Sequence, residues 1–229
     1  MIKLSKRLSA IYDSISACST VIDVGTDHAH IPIACIQSGK AEHGIALDIR
    51  KGPLEIAAKN VAGYKAADKI RLVQTDGLSS IEIMSNDCIV IAGIGGLETI
   101  CILSKAGKIP CRMVLQPQRS SYELREFLDK NGYSVIEESI VSENGKFYNV
   151  IVSRYSGISG EMTRLEKYAG KNIVSRVKNI TCRQVDEALI EYLEHLVQAT
   201  KKKIRSDPSL RELLTELDNI IGTGKDHET

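Results

Sequence analysis

No stretch of this chain reaches the roughly 18–20 consecutive apolar residues that a membrane-spanning helix requires. Nor does it open on the charged-then-apolar pattern of a secretory signal. These two absences predict a soluble protein of the cytoplasm with no membrane partner. Its six cysteines (Cys18, Cys35, Cys88, Cys101, Cys111, Cys182) include no C-x-x-C pair. A zinc or disulfide framework is therefore excluded, and the cysteines read as reduced residues of apolar runs. His43, His195 and His227 fall at no ligand spacing, so no metal is expected. A surplus of one charge sign is also missing, because 30 Lys and Arg against 29 Asp and Glu leave a net charge of +1. A nucleic-acid partner would have to meet a local basic patch rather than a global field.

The 229 residues suffice for one full-sized α/β domain and a smaller appendage. Short β-branched runs alternate with helical patterns between residues 20 and 154. TVIDV (20–24), HGIALD (43–48), IRLVQTD (70–76), DCIVIAG (87–93) and RMVLQP (112–117) predict strands buried on both faces. Helices are predicted near 30–38, 53–63, 95–106 and 120–131. This alternation implies βαβ units and a parallel, doubly wound sheet. YSVIEESIV (133–141) and KFYNVIVSRY (146–155) then flank Glu143-Asn144-Gly145, and Asn-Gly favours a tight hairpin turn. A mostly parallel sheet ending in an antiparallel hairpin is the Rossmann-like arrangement of class I methyltransferases.

Leu4, Leu8, Ile11 and Ile15 recur at helical spacing before this domain, with Lys3, Lys6 and Arg7 around them. After it, Met162, Leu165, Ala169, Ile173, Val177, Ile180, Val185, Leu189, Tyr192, Leu196 and Ala199 form an apolar stripe. One long amphipathic helix, or two with a break, would carry it. Asp207-Pro208 predicts a helix restart with aspartate as N-cap. Leu210, Leu213, Leu214, Leu217 and Ile220 follow as a second stripe, so an antiparallel coiled coil is the simplest pairing. The expected division is 1–156 for the sheet domain and 157–229 for the helical domain. The pattern leaves dimerisation of the tail open, with a monomer as the expectation.

Ligands of open α/β sheets lie beyond the carboxyl ends of the strands. The first such end is Asp23-Val24-Gly25-Thr26-Asp27-His28. Its glycine permits close backbone approach to a ligand, although the hexapeptide reads equally well as a strand-to-helix turn capped by Asp27. Asp48 closes the second end, where an acidic residue can accept from the ribose hydroxyls of a nucleoside. Asp76-Gly77 at the third could meet an adenine amine and ring, though alone it is more often a turn. Ala92-Gly93-Ile94-Gly95-Gly96 and Gln116-Pro117 close the fourth and fifth; tight packing competes with ligand contact in both, and for Gln116-Pro117 it is preferred. A nicotinamide cofactor needs G-x-G-x-x-G in the first turn to hold pyrophosphate. Here one glycine stands there beside Asp27, which would repel phosphate but tolerate the sulfonium of S-adenosylmethionine.

With these residues in place, the chain resembles the bacterial tRNA (adenine-22-N1)-methyltransferases. The matching segments are LSKRL (4–8), DVGTDHAHIP (23–32), KGP (51–53), TDGL (75–78), AGIGG (92–96), LQPQ (115–118), LREFLDKNGY (124–133) and ENGKFYNVIV (143–152). Departures are mild: Thr26 replaces a usual serine, His30 stands where tyrosine is common, and Ile94 replaces methionine. The resemblance implies an S-adenosylmethionine pocket from Asp23, Gly25, Asp48, Ile49, Asp76, Gly77 and Gly93, with Asp27 and His28 at the transferred methyl. It implies tRNA as partner, methylated on N1 of adenine. Lys201, Lys202, Lys203 and Arg205 form the densest basic run and are the expected tRNA contacts, joined by Arg164, Lys167, Lys171, Arg176, Lys178 and Arg183. Balancing Glu187, Glu191 and Glu194 leave a solvated helix face as the other reading. The other readings are a methyltransferase of another RNA or a small molecule, a non-catalytic nucleotide-binding interaction module, and a nicotinamide-dependent oxidoreductase, which the missing phosphate glycines disfavour.

Overall fold

The computed structural model describes residues 2–179 and 187–225, with side chains described to residue 222. Ile180, Cys182, Arg183, Val185 and His227 lie outside the described residues. The strands are β1 (Cys18–Val24), β2 (Ala41–Asp48), β3 (Ile70–Gln74), β4 (Cys88–Ile94), β5 (Arg112–Pro117), β6 (Tyr133–Glu143) and β7 (Lys146–Tyr155). They form one seven-stranded sheet in the order β3-β2-β1-β4-β5-β7-β6. The pairs β1–β2, β1–β4, β2–β3 and β4–β5 are parallel, while β7 runs antiparallel to both β5 and β6. The predicted Rossmann-like architecture, with its terminal hairpin, is therefore the one observed. Asn144 (φ 53°) and Gly145 (φ 70°) are both left-handed, the backbone demanded by a two-residue turn that matches strand twist.

Side-chain alternation on the central strands sorts the core into two layers. Val21, Cys88, Val90, Val114, Val150 and Val152 face one side. Ile22, Ile89, Ile91, Met113, Leu115 and Ile151 face the other. Small residues on the first side admit α1 (Lys6–Asp13) and α2 (His30–Ser38), whose Ile11, Ile31 and Cys35 pack there. Longer ones on the second meet α4 (Gly96–Ala106) and α5 (Ser121–Lys130) through Leu103, Leu124 and Leu128. A separate layer of Ala46, Ala57, Val61 and Ile70 holds α3 (Lys51–Gly63). The edge strand β3 departs from the expectation of double burial, because Arg71 and Gln74 are exposed. Among the described residues no strand covers its outer side.

The stripe after residue 161 is carried by three helices among the described residues, α6 (Arg164–Ala169), α7 (Lys171–Lys178) and α8 (Glu187–Lys203), rather than one or two. Thr163 starts α6 with a capping box: its side chain accepts from the Glu166 N–H, and the Glu166 carboxylate accepts from the Thr163 N–H. Gly170 (φ 110°) separates α6 from α7. The last helix, α9 (Leu210–Lys225), begins a turn after the expected restart. Asp207 caps the preceding turn, its Oδ1 accepting from the Ser209 N–H at 3.1 Å and its Oγ–H at 2.6 Å. All four helices share one apolar cluster, which also takes in Ile140 of β6 and Phe147 of β7. The tail is thus seated on the hairpin, and its core is wider than the two-helix seam of a coiled coil.

Candidate functional site

The sheet order reverses between β1 and β4, which opens a crevice beyond their carboxyl ends. Two adjoining cavities occupy it. The larger, about 470 Å³, is lined by Asp23, Thr26, Asp27, His28, His30 and Gly93, with Arg7, Leu8 and Gln118. The smaller, about 180 Å³, is lined by Asp48, Ile49, Thr75, Asp76, Gly77 and Ile102. Gly25, Arg50 and Ile94 line both. Every residue expected at the cofactor and the transferred methyl is therefore brought to this double cavity.

Asp23 ends β1 almost wholly buried. Burial pushes its carboxyl up to about 6, against a hydrogen bond from Thr26 that favours the ionised form; the charge of Asp48 raises it further. Such a carboxylate gains free energy when a cation arrives. Thr26 keeps the hydroxyl of the usual serine, and its Oγ1 accepts from the Ala29 N–H at 3.1 Å. Asp48 ends β2, and its Oδ1 accepts from the Arg50 N–H at 2.7 Å. Asp76 meets Lys105 Nζ at 2.7 Å, but both are more than half exposed, so the pair rearranges at little cost.

Asp27 and His28 sit at the turn before α2, with Oδ2 and Nε2 3.2 Å apart. The His28 ring stacks on His30 at a centroid distance of 5.1 Å. Burial, and then the neighbouring His28, lower the His30 pKa. The glycine cluster after β4 divides between its two readings. Gly93 (φ 79°) turns its bare Cα face toward the larger cavity, where an added Cβ would lie 3.6 Å from Arg7 Nη1. Gly96 instead packs so closely on the Ser120 carbonyl that no Cβ fits. Gln116 is fully buried and bonds Arg7 and its neighbour's carbonyl, so packing holds there and Gln118 takes the cavity position. Arg7, Arg50 and Gln118 carried no assignment in the sequence; for Arg7 the only signal was its place in the LSKRL segment.

The basic residues of the tail do not share one face. Lys203 lines a third cavity, about 660 Å³, together with Arg119, Arg164, Tyr122, Tyr168 and His195, between the α4–α5 side of the sheet domain and the tail. Lys201 lines a different concavity with Glu191, Glu194 and Asp218. Lys202 and Arg205 are exposed. Lys167 is mostly buried, 3.5 Å from Asp129, and belongs to the packing rather than to a basic surface. Of the five described cysteines, Cys35, Cys88 and Cys111 are buried, Cys18 is half-buried and Cys101 is exposed. Burial pushes the Cys35 and Cys111 thiols up to about 12. Among the described residues no group of three or more His, Cys, Asp or Glu could hold a metal ion, and no helix is long and apolar enough to cross a membrane.

The sequence matches the methyltransferase domain family over residues 4–151. It is 32% identical to the tRNA (adenine(22)-N(1))-methyltransferase of Bacillus subtilis, covering 94% of this chain and 97% of that protein. The crystal structure of the B. subtilis m1A22 tRNA methyltransferase superposes with a TM-score of 0.75 at 28% identity, over 100% of both chains. A Streptococcus pneumoniae putative tRNA (m1A22) methyltransferase in complex with S-adenosyl-L-methionine gives a TM-score of 0.71 at 27% identity, over 99% of this chain and 100% of that one.

Proposed function

This chain belongs to the tRNA (adenine(22)-N(1))-methyltransferase family, and from that premise we propose that it transfers the methyl group of S-adenosylmethionine to N1 of adenine 22 in tRNA. The observation that carries the reading is the double cavity at the strand-order reversal, with a buried carboxylate, Asp23, at its wall. A small chamber ended by Asp48 and Asp76 suits a nucleoside. The larger chamber leaves room for a second base, and its carboxylates favour a cationic sulfonium over a pyrophosphate. S-adenosylmethionine supplies an electrophilic methyl carbon; the chain's own residues bind, orient and neutralise charge around it.

In this reading Asp23, Gly25, Asp48, Ile49, Asp76, Gly77 and Gly93 hold the cofactor. N1 of adenine carries a lone pair, yet pairing or stacking hides it, so the base must be exposed before attack. Methylation leaves the ring cationic. Asp27, with His28 beside it, stabilises that charge or helps remove a proton from N6. Residues 1–156 form the catalytic half. Residues 157–229 form the helical half, whose Lys203 and exposed Lys202 and Arg205 meet tRNA phosphates, while Lys201 is turned to an acidic concavity. The enzyme acts in the cytoplasm as a monomer.

The test is methyl transfer from radiolabelled S-adenosylmethionine to unmodified bacterial tRNA, with the product nucleoside identified by mass spectrometry. The expected product is 1-methyladenosine, lost when adenine 22 is replaced. Cofactor binding without transfer to any RNA would instead support the interaction-module reading.

A further inference from the structure

Arg7 enters the larger cavity from α1, far in sequence from the strand ends that form it. Its Nη1 donates to Gln116 Oε1 at 2.8 Å. Its guanidinium carbon stands 5.8 Å above the Tyr148 ring. Its backbone N–H donates to Glu143 Oε1 at 3.2 Å, which ties the helix to the hairpin end. Two contacts thus fix a long, rotamer-rich side chain whose ordering costs entropy, and a third holds its backbone. The hydrogen-bond partner of the guanidinium is a neutral amide, and the carboxylate that feels its charge, Glu143, bonds the Arg7 backbone N–H rather than the guanidinium. The other arginine of the cavity, Arg50, instead lies 3.5 Å from the Asp48 carboxylate on the side of the small chamber. Gly93 passes against Arg7 without a side chain, which keeps the guanidinium accessible from the cavity.

We propose that Arg7 is a phosphate-binding residue of the RNA site, taking the phosphodiester that flanks the target nucleotide as the base enters the larger cavity. This rests on the tRNA-methylating reading above. An extruded nucleotide carries its backbone charge to the mouth of the site, and a planar guanidinium with fixed donors matches phosphate geometry. The neutral anchor at Gln116 orients the fork without spending its charge.

The test compares the full-length parent, Arg7→Gln and Arg7→Lys in three measurements: cofactor affinity by calorimetry, affinity for unmodified tRNA against salt concentration, and KM with kcat for tRNA. Arg7→Gln should leave cofactor affinity within about twofold, weaken tRNA binding about tenfold, and reduce the salt slope by about one. Its KM for tRNA should rise more than its kcat falls. Arg7→Lys keeps the charge and should restore the salt slope while recovering only part of the affinity. Loss of cofactor affinity with an unchanged salt slope would place Arg7 at the methionine carboxylate and overturn the proposal. Unchanged tRNA binding in both variants, or equal losses of every property with a lowered Tm, would reduce Arg7 to a packing contact. Should the parent methylate no RNA at all, the functional reading fails irrespective of how Arg7 behaves.

Discussion

Asp23 near the end of β1 and Asp27 in the turn that follows are both carboxylates, and their environments differ. Asp27 is 68% exposed, with its Oδ2 3.2 Å from His28 Nε2, which suits the proposed role of facing a developing charge. Replacing it with asparagine keeps the shape and removes the charge. The kcat should fall by about 100-fold while cofactor affinity changes by less than about twofold; equal losses in both would count against this role. Asp23 is buried, and its carboxyl titrates near 6 rather than at the ordinary 3.8. The folded chain therefore holds a proton there that the unfolded chain has already released. The resulting stability is full below the ordinary carboxylate pKa and is lost as pH rises through about 6. Binding of a cationic cofactor runs the other way, because it requires the ionised form. Between pH 7 and about pH 5 the dissociation constant for S-adenosylmethionine should rise roughly tenfold. Asp23→Asn should bind more weakly and lose that dependence, whereas a pH-independent parent would remove Asp23 from cofactor recognition. These acidic positions were legible because each ends a β-branched run, and strand ends are where such folds bind ligands. Arg7 was not, since its partner Gln116 is 109 residues away and nothing local marks the contact.

Elements were legible where local chemistry punctuates them. The bounds of β5 and β7 follow from Pro117 and from the Asn144-Gly145 turn. The break between α6 and α7 was not apparent, because Ala169 and Ile173 continue the apolar spacing across Gly170 and so conceal it. The same limit applies to the basic run on α8. Consecutive helical residues point about 100° apart, so Lys201, Lys202 and Lys203 cannot act as one patch. Lys203 faces the cavity shared with Arg119 and Arg164, where three cations outnumber the two carboxylates of Glu123 and Asp207. Lys201 faces Glu191, Glu194 and Asp218, which already lower the local potential. Lys203→Glu should therefore weaken tRNA binding by several-fold and flatten its salt dependence, with Lys201→Glu showing the smaller effect. Electrophoretic mobility shifts across a salt series would measure both. If the two reversals were equal, or Lys201→Glu the more damaging, the cavity would not be the route of the backbone.

At the scale of the whole molecule, the sheet half and the tail are joined through one buried cation. Arg125 of α5 is fully buried, and its Nε donates to Glu138 Oε1 of β6 at 2.7 Å. It also donates to the carbonyl oxygens of Lys167 and Tyr168, at 3.1 and 3.4 Å, and to Asn149 Oδ1 at 2.9 Å. Tyr192 of α8 donates to that same Asn149 oxygen at 3.0 Å. A helix, two strands and two tail helices thus converge on a single guanidinium. In the sequence Arg125 reads as an ordinary charge on an amphipathic helix; only the tail folding over the hairpin encloses it. Replacing Arg125 with methionine leaves Glu138 buried without its partner, and should cost about 3–5 kcal/mol. Replacing Glu138 with leucine as well removes the orphaned charge. Recovery should stay partial, because the Lys167 and Tyr168 carbonyls still lack this donor and the Asn172 N–H loses Glu138 as its acceptor, each unmet group costing about 1–3 kcal/mol, whereas Asn149 Oδ1 keeps Tyr192. Urea unfolding followed by far-ultraviolet circular dichroism would rank parent, double and single variant in that order. A single variant as stable as the parent would mean that the apolar cluster and the remaining polar contacts, Lys167–Asp129 among them, seat the tail without this ion pair. The predicted order would mean that the geometry between the catalytic cavity and the Lys203 cavity depends on this ion pair.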